Sequence, residues 1–160
     1  MHKSVLLDTN FFLRFLNEND ALFRNVDGYF RYFIQKDIMM MISTISIAEY
    51  CVGGEIQELP LRNLQILPFN IDHSIRAEEF AKVAFQEKKS GMLDLTNRNI
   101  IPNDAKLFAQ ADTEFSVEYY LSSNSESRKI YNLLKEKRSL NFQFIDLNTP
   151  YNEIFGLLDL

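Results

Sequence analysis

Residues that cross-link small proteins or bind zinc are scarce in this sequence, which has one cysteine and two histidines among 160 residues. A single cysteine excludes an intrachain disulfide, and two scattered histidines give no zinc-binding pattern. Cys51 falls within a helical apolar pattern, which predicts a small buried hydrophobic side chain. The chain is therefore expected to fold around a hydrophobic core, without a disulfide or a structural metal.

Long apolar runs are absent as well. No run reaches the length of a membrane span. Only three apolar residues lie between Lys3 and Asp8, too few for the core of a signal peptide. These absences predict a cytoplasmic protein that makes no membrane contact.

Positive charge is also in deficit, since 17 Lys and Arg face 22 Asp and Glu, for a formal charge of -5 and a pI of about 5.1. This balance argues against a protein that binds polyanions through net charge alone. Basic residues gather at 88–89 and again over 128–138, and charge patterning favours solvated helix faces for both groups. Nucleic acid remains an open partner if metal ions neutralise an acidic site locally.

The residues that are present predict one α/β domain over residues 1–160. Hydrophobic residues make up 46% of the chain, with 14 Phe and 7 Tyr to fill a core. Short apolar runs, typical of buried strands, alternate with helical patterns, which implies parallel strands covered on both faces. The architecture expected is a three-layer α/β/α sandwich with a mostly parallel central sheet. Predicted strands are 5–7, 38–42, 64–69, 117–121 and 142–145, and predicted helices are 11–16, 20–37, 46–53, 73–89, 105–111, 126–137 and 150–158.

Asp8 directly follows the first predicted strand, at the end of a strand where ligands commonly bind. Thr9 and Asn10 follow it, and either can cap the next helix, so capping does not by itself explain the carboxylate. Ligands bind at this edge of parallel sheets because loops and helix starts converge there. We therefore expect Asp8 to lie in a site formed with other strand ends.

Other strand or loop ends also carry polar side chains near helix starts: Glu49, Asp104, and Asn124 with Glu126. In a parallel sheet these ends share one edge, so the carboxylates could converge. Grouped carboxylates repel one another unless a cation lies between them, and Mg²⁺ or Mn²⁺ prefers oxygen ligands. Such an ion can activate water to hydrolyse a phosphodiester.

Each of these acidic residues also has a purely structural interpretation. Glu49 stands three residues after Ser46, and Glu126 stands three residues after Ser123, which is the spacing of a capping box. Asp104 can cap the helix predicted to follow it. Spacing alone therefore leaves helix capping and a metal site as alternatives.

Three segments resemble the PIN-domain family in content and order. They are Leu-Leu-Asp-Thr-Asn at 6–10, Ser-Thr-Ile-Ser-Ile-Ala-Glu-Tyr at 43–50, and Pro-Asn-Asp-Ala at 102–105 with Ala109 and Ala111. The resemblance covers nearly the whole chain. PIN domains are metal-dependent ribonucleases with an α/β/α fold, and small single-domain members, the VapC-like proteins, are often the toxins of bacterial toxin-antitoxin pairs.

The resemblance implies that Asp8, Glu49 and Asp104 hold Mg²⁺ or Mn²⁺, while Thr9 or Asn10 shapes the same pocket. It implies hydrolysis of RNA, with single-stranded or looped RNA as the natural target. It also implies a homodimer and an antitoxin whose segment docks in an apolar groove.

The sequence departs from the family at a fourth position. Where the family commonly has Thr or Ser, any residue, then Asp, this chain has Ser122, Ser123 and Asn124. Asn124 can orient a water or a phosphate but brings no charge, and Glu126 could compensate from one helical step away. The alternative is a degenerate PIN fold that binds RNA or a protein without cleaving.

Basic residues beside the site are the expected RNA contacts. Arg14 on the first helix, and Arg128 and Lys129 on the basic helix, could bind backbone phosphates. Binding through them would depend on salt concentration.

Overall fold

Five parallel strands form one sheet, in the order β3-β2-β1-β4-β5, within residues 2–156, the part of the chain that the computed structural model describes. Every neighbouring pair is parallel, so the mostly parallel sheet predicted is parallel throughout the described chain. The strands are β1 (Ser4–Leu7), β2 (Met39–Ser43), β3 (Leu64–Leu67), β4 (Val117–Ser122) and β5 (Gln143–Asp146).

Helices cover both faces of the sheet, which confirms the α/β/α fold class. They are α1 (Thr9–Phe15), α2 (Phe23–Gln35), α3 (Thr44–Tyr50), α4 (Ile71–Ser90), α5 (Ile100–Thr113), α6 (Ser125–Lys137) and α7 (Tyr151–Phe155). Short 3₁₀ turns at Ile56–Glu58 and Leu61–Asn63 precede β3. No helix among residues 2–156 is long and apolar enough to cross a membrane.

The two faces of β1 belong to two separate hydrophobic cores. Leu6 packs in the core made with α4, α5 and α6, whereas Val5 and Leu7 pack in the core made with α1, α2, α3 and α7. Side chains alternate between the faces of a strand, so a strand buried on both faces must be apolar at every position. This explains why the first strand is a continuous apolar run that stops abruptly at Asp8.

The central position of β1 decides where a site can form. The chain runs outward from β1 through β2 to β3, then returns to the other side of β1 for β4 and β5. The connection after β1 leads to one side of the sheet and the connection after β4 leads to the other. In such sheets a crevice forms between these two connections, at the carboxyl ends of the strands. Asp8 follows β1 and residues 123–124 follow β4, so both lie at this crevice.

The N-cap of helix α3 lies three residues earlier than predicted. Ser43 rather than Ser46 is its N-cap, with the Ser43 hydroxyl accepting a hydrogen bond from the Ile45 backbone. The helix therefore ends at Tyr50, and the apolar pattern that included Cys51 does not continue. The prediction that Cys51 is buried is wrong, because its side chain is exposed at the end of the helix.

Two later helices also begin before the predicted residues. Asn70, not Asp72, caps α4, in a reciprocal pair of hydrogen bonds with His73. Helix α5 begins at Ile100, so Pro102 lies within its first turn, where the missing N–H costs no hydrogen bond. Asp104 is consequently its fifth residue and not part of the first turn. The helix predicted at 150–158 spans Tyr151–Phe155, and residues 157–158 of that prediction lie outside the described residues.

Candidate active site

A cavity of about 360 Å³ opens at the carboxyl ends of β1 and β4. It contains the three carboxylates predicted to converge and the amide at the fourth position. A larger cavity, of about 470 Å³, lies at the opposite end of β2 and β3 and contains a single carboxylate, Asp37. The first cavity is therefore the candidate active site. Its lining consists of Asp8, Thr9, Asn10, Leu13, Glu49, Asn97, Asn99, Ile100, Asn103, Asp104, Asn124 and Ser127.

The carboxylate of Asp8 is held by donors on both oxygens. Oδ1 accepts from the Thr9 backbone at 2.7 Å, and Oδ2 accepts from Asn10 Nδ2 at 2.9 Å and from Ser122 Oγ at 2.8 Å. Asp8 itself is therefore the N-cap of α1, instead of Thr9 or Asn10 as predicted. Thr9, Asn10 and Ser122, predicted as supporting residues, all lie against it.

Glu49 joins three helices. Its Oε2 accepts from Thr9 Oγ1 at 2.6 Å, and its Oε1 accepts from Asn103 Nδ2 at 2.5 Å. Because α3 begins early, Glu49 is its penultimate residue and not part of a first-turn capping box. The side chain therefore reaches into the cavity from the C-terminal end of α3, with both oxygens engaged.

Asp104 differs from the other two carboxylates because it is poorly satisfied. The residue is only 7% exposed, and its Oδ2 has no hydrogen-bond partner among the described residues. Burial raises the pKa of Asp104 to about 7 against the opposing effect of the nearby Ser127 hydroxyl, and the charges of Asp8 and Glu49 add to the rise. Asp104 is thus a carboxylate that the fold holds in place with little compensation of its charge.

The same electrostatics act on Asp8. Burial raises its pKa to about 6, against the opposing hydrogen bonds from Ser122 and Thr9, and the charge of Glu49 adds to the rise. Asp8 and Asp104 therefore lie close enough to Glu49 for its charge to affect their ionisation, and the three carboxylates converge as the parallel-sheet argument predicted.

Sequence reasoning missed Tyr120. Its side chain is fully buried in β4, and burial together with the charges of Asp8 and Asp104 holds its pKa well above the ordinary value. The hydroxyl consequently stays protonated and can donate to a carboxylate. Two tyrosines stand next to each other in the sequence at 119–120, and only the register of the strand decides which one faces the carboxylates.

Asn124 has a structural task in addition to lining the cavity. Its Oδ1 caps α6 by accepting from the backbone N–H groups of Glu126, at 2.9 Å, and Ser127, at 3.4 Å. The cap predicted for this helix, a box between Ser123 and Glu126, is therefore wrong. The Asn124 amide nitrogen has no partner among the described residues and is the part of this side chain available to a ligand.

Glu126 does not enter the cavity. Its Oε1 accepts from the Thr96 backbone at 2.6 Å, in the segment that precedes α5. The hypothesis that Glu126 supplies the charge missing at Asn124 therefore loses its geometric basis.

Replacing Asn124 by alanine should destabilise the protein, whereas replacing it by aspartate should not. Alanine removes the cap of α6, which costs about 1 kcal/mol. Aspartate keeps an acceptor in the same place and adds a negative charge at a helix N-terminus, where it is favourable. Thermal unfolding of both variants measures the difference, and equal melting temperatures for them would contradict the capping role.

The three predicted RNA contacts are all engaged in bonds within the protein, and none of them lines the cavity. Arg14 donates to Ser123 Oγ at 2.9 Å and to Asp20 at 2.8 Å. Arg128 pairs with Asp146 at 3.2 Å, and Lys129 donates to the Asp94 carbonyl at 3.2 Å. Their role in RNA binding stays a prediction.

The donors in the cavity suit a hard divalent cation. They are carboxylate and amide oxygens, and the buried Asp104 Oδ2 without a partner is the kind of atom that a cation satisfies. Among residues 2–156, no three His, Cys, Asp or Glu side chains are arranged to hold a metal ion together. Mg²⁺ needs only one or two carboxylates and keeps several waters, so the residues fit an ion bound mainly through water.

Comparison with known proteins shows the fold of this chain. No protein-family model and no curated protein matches the sequence. Among solved structures, a chain of the FitAcB complex from Neisseria gonorrhoeae matches with a TM-score of 0.61 and 16% identity, over 89% of this chain and 97% of that one. A chain of VapBC-1 from nontypeable Haemophilus influenzae matches with a TM-score of 0.56 and 14% identity, over 91% and 99%. A chain of VapBC2 from Rickettsia felis, bound to a promoter DNA fragment, matches with a TM-score of 0.54 and 19% identity, over 89% and 98%. The chain therefore has the PIN-like fold of VapC proteins, as the sequence motifs predicted.

Proposed function

We propose that this protein is a metal-dependent ribonuclease and the toxin of a toxin-antitoxin pair. The observation that carries the proposal is the pair of buried carboxylates, Asp8 and Asp104, whose pKa values are raised to about 6 and about 7 in one cavity with Glu49. No Lys or Arg lines this cavity among the described residues, so burying two carboxylates there lowers the stability of the metal-free fold. That cost indicates a function that needs them. The likeness to VapBC and FitAcB chains supports the same conclusion.

Asp8 and Asp104 are the residues we assign to Mg²⁺ or Mn²⁺. When bound, such an ion supplies charge stabilisation for the phosphodiester and activates water for hydrolysis. The hydrogen bonds from Thr9, Asn10 and Ser122 fix the orientation of the Asp8 carboxylate. Orientation of this kind is what allows a carboxylate to bind an ion without rearranging.

The remaining polar residues position the substrate and the carboxylates. Glu49, bonded to Thr9 and Asn103, ties α1, α3 and α5 together around the cavity and adds negative charge to it. The Tyr120 hydroxyl stays protonated, because burial and the charges of Asp8 and Asp104 raise its pKa, and it has no hydrogen-bond partner among the described residues, so its proton is available to the site. The Asn124 amide nitrogen can donate to a phosphate oxygen, which requires no charge at that position.

RNA cleavage tests the proposal directly. Purified protein is incubated with a pool of single-stranded and looped RNAs in Mg²⁺, in Mn²⁺ and in EDTA, beside Asp8→Asn. We expect cleavage with either ion, none in EDTA, and none with the variant. Absence of cleavage under every condition would reject the nuclease proposal for the wild-type chain.

A second candidate function is favoured by Asn124 alone. If the neutral amide has disarmed the site, the protein binds RNA or a protein partner without cleaving. Asn124→Asp separates the two candidates, because it restores the charge without disturbing the cap of α6. Cleavage by Asn124→Asp together with a silent wild-type protein would establish the binding function.

The toxin role predicts a partner. The similar structures are VapBC and FitAcB complexes, and we propose that this chain forms a homodimer that also binds a cognate antitoxin. Leu13 lines the cavity and is 55% exposed, an apolar side chain that an antitoxin segment could cover. Induced expression in bacteria should arrest growth for the wild-type chain and not for Asp8→Asn, and sedimentation of the purified protein measures the oligomeric state.

A further inference from the structure

The segment between α4 and α5, residues 91–99, is fixed in place although most of it is exposed. Two of its side chains, Leu93 and Leu95, are buried in the core formed by α4, α5 and α6. Three charged side chains from elsewhere in the chain each bond to the backbone of one of its consecutive residues Asp94, Leu95 and Thr96. These bonds run from Lys129 Nζ to the Asp94 carbonyl at 3.2 Å, from Lys88 Nζ to the Leu95 carbonyl at 2.9 Å, and from the Thr96 N–H to Glu126 Oε1 at 2.6 Å.

The end of this segment forms one wall of the candidate active site. Asn97 and Asn99 both line the cavity. The Asn99 N–H donates to Asn97 Oδ1 at 2.9 Å, and the Arg98 carbonyl accepts from the Ile101 N–H at 3.1 Å, which continues into α5. The backbone at Arg98 is therefore held at a defined position on the rim of the site.

The side chain of Arg98 is free, in contrast to the basic residues chosen from the sequence. It is exposed and makes no hydrogen bond or ion pair with any described residue, whereas Arg14, Arg128 and Lys129 are all bonded within the protein. No Lys or Arg is found among the described residues that line the cavity. Arg98, flanked on both sides by lining residues, is the cation that this rim presents to solvent.

We propose that Arg98 binds a backbone phosphate of the RNA strand entering the active site, and that Glu126 is the positioning residue that holds its segment against the rim. An acidic cavity repels a polyanion, so a fixed backbone that presents a free guanidinium at the entrance offsets that repulsion at the scissile region. This inference rests on the proposed function and adds to it the residue that contacts the substrate.

Binding of a fluorescently labelled single-stranded RNA, measured by anisotropy in EDTA over a range of salt concentrations, tests the role of Arg98. Arg98→Gln should weaken binding roughly tenfold at low salt, the effect of losing one charged hydrogen bond. It should also make the slope of log K against log salt shallower by about 0.7, the value for one phosphate contact with a single strand. The matched control is Arg31→Gln on α2, which removes the same charge from an exposed side chain paired with Asp27 at 2.9 Å, outside the predicted RNA contacts, and should change both quantities less.

Removal of the Glu126 side chain separates a simple charge effect from a positioning role, because the two predict opposite changes in RNA affinity. Removal of a negative charge should by itself tighten RNA binding, as expected for Glu136→Ala on the same helix, whose side chain is exposed. Glu126→Ala should weaken binding instead, by several-fold, because the segment that carries Arg98 is released. Tighter binding by both variants would overturn the positioning role.

The cleavage assay keeps this inference separate from the proposed function. Wild-type cleavage with unchanged affinity and salt slope in Arg98→Gln would overturn the role of Arg98 and leave the nuclease standing. Failure of the wild-type protein to bind RNA at low salt would overturn the role of Arg98, and the nuclease proposal would then be decided by cleavage alone. A roughly equal loss in Arg98→Gln and Arg31→Gln would also contradict it, since a general charge effect would explain both.

Discussion

Asp104→Asn is expected to make the protein more stable and to eliminate RNA cleavage. The wild-type carboxylate is buried, lacks a partner for Oδ2 within the described chain, and has a pKa raised to about 7. A neutral amide avoids the cost of ionising that group, so the metal-free variant should gain roughly 2 kcal/mol at pH 8, less than the full shift because an amide also needs partners. Such an opposition between stability and function is common at active sites.

Cleavage by Asp104→Asn should fall by more than about 100-fold, since even residues that only orient a metal ligand are worth 10- to 100-fold. Melting temperatures without metal and cleavage rates with Mn²⁺ measure the two effects. A variant that cleaves RNA like wild type would remove Asp104 from the proposed mechanism.

Asp112 provides a matched control on the same helix. It is also a buried carboxylate, but its oxygens accept from Arg76 Nε at 2.8 Å and from the Asn141 N–H at 2.7 Å. Asp112→Asn breaks a satisfied pair and should destabilise the protein by about 1–3 kcal/mol while leaving cleavage by the folded protein intact. Opposite stability changes for the two aspartates would show that the cost of burial is specific to the site.

The metal-free protein should lose stability as pH rises from 5 to 8. The pKa values of Asp8 and Asp104 are raised from 3.8 to about 6 and about 7 in the folded state. Between pH 3.8 and these raised values the folded protein keeps protons on Asp8 and Asp104 that the unfolded chain has released. The stability that the two groups contribute is therefore fully present below about pH 4. It is lost as pH rises through 6 and 7. The shift of Asp8 alone corresponds to roughly 3 kcal/mol.

Carboxylates whose pKa values are lowered in the folded protein do not affect stability between pH 5 and 8. Hydrogen bonds and ion pairs hold the pKa values of Asp20, Glu78 and Glu79 below their ordinary values of 3.8 and 4.5, so their contribution is lost only as pH falls below that range. Chemical denaturation at several pH values measures the slope. Asp104→Asn should flatten it near pH 7, and millimolar Mn²⁺ should stabilise the wild-type protein more at pH 8 than at pH 5. A stability that rises steadily from pH 5 to 8 would contradict the raised pKa values.

Several features of this protein were determined by short stretches of sequence. A strand in a parallel sheet is buried on both faces, so nearly every residue in it must be apolar. The strands could therefore be predicted as short apolar runs bounded by polar residues. Alternation of these runs with helical patterns specified the α/β/α layers. The position of Asp8 was also predictable, because the residue that ends a buried strand is set by where the apolar run stops.

Helix starts were less predictable because neighbouring residues compete to cap them. Ser43 and Ser46 are both good caps, as are Asn70 and Asp72, and the choice depends on how far the preceding strand or turn extends. Cys51 was misassigned for the same reason, since the shift of α3 by three residues moved it from the helix to its exposed end.

Tertiary structure alone decided how the side chains of the site are bonded. Ser122 contacts Asp8 across 114 positions of sequence, and Glu126 holds Thr96 across 30, contacts that no local pattern encodes. The same holds for the charges, since Arg14 and Arg128 were predicted from the sequence to bind phosphates but are paired within the fold, whereas Arg98 is left free. Composition and periodicity specify which residues are buried, because burial depends on local hydrophobicity. Which polar groups satisfy one another depends on the packing of distant elements, and the unsatisfied carboxylate at Asp104 emerged only from that packing.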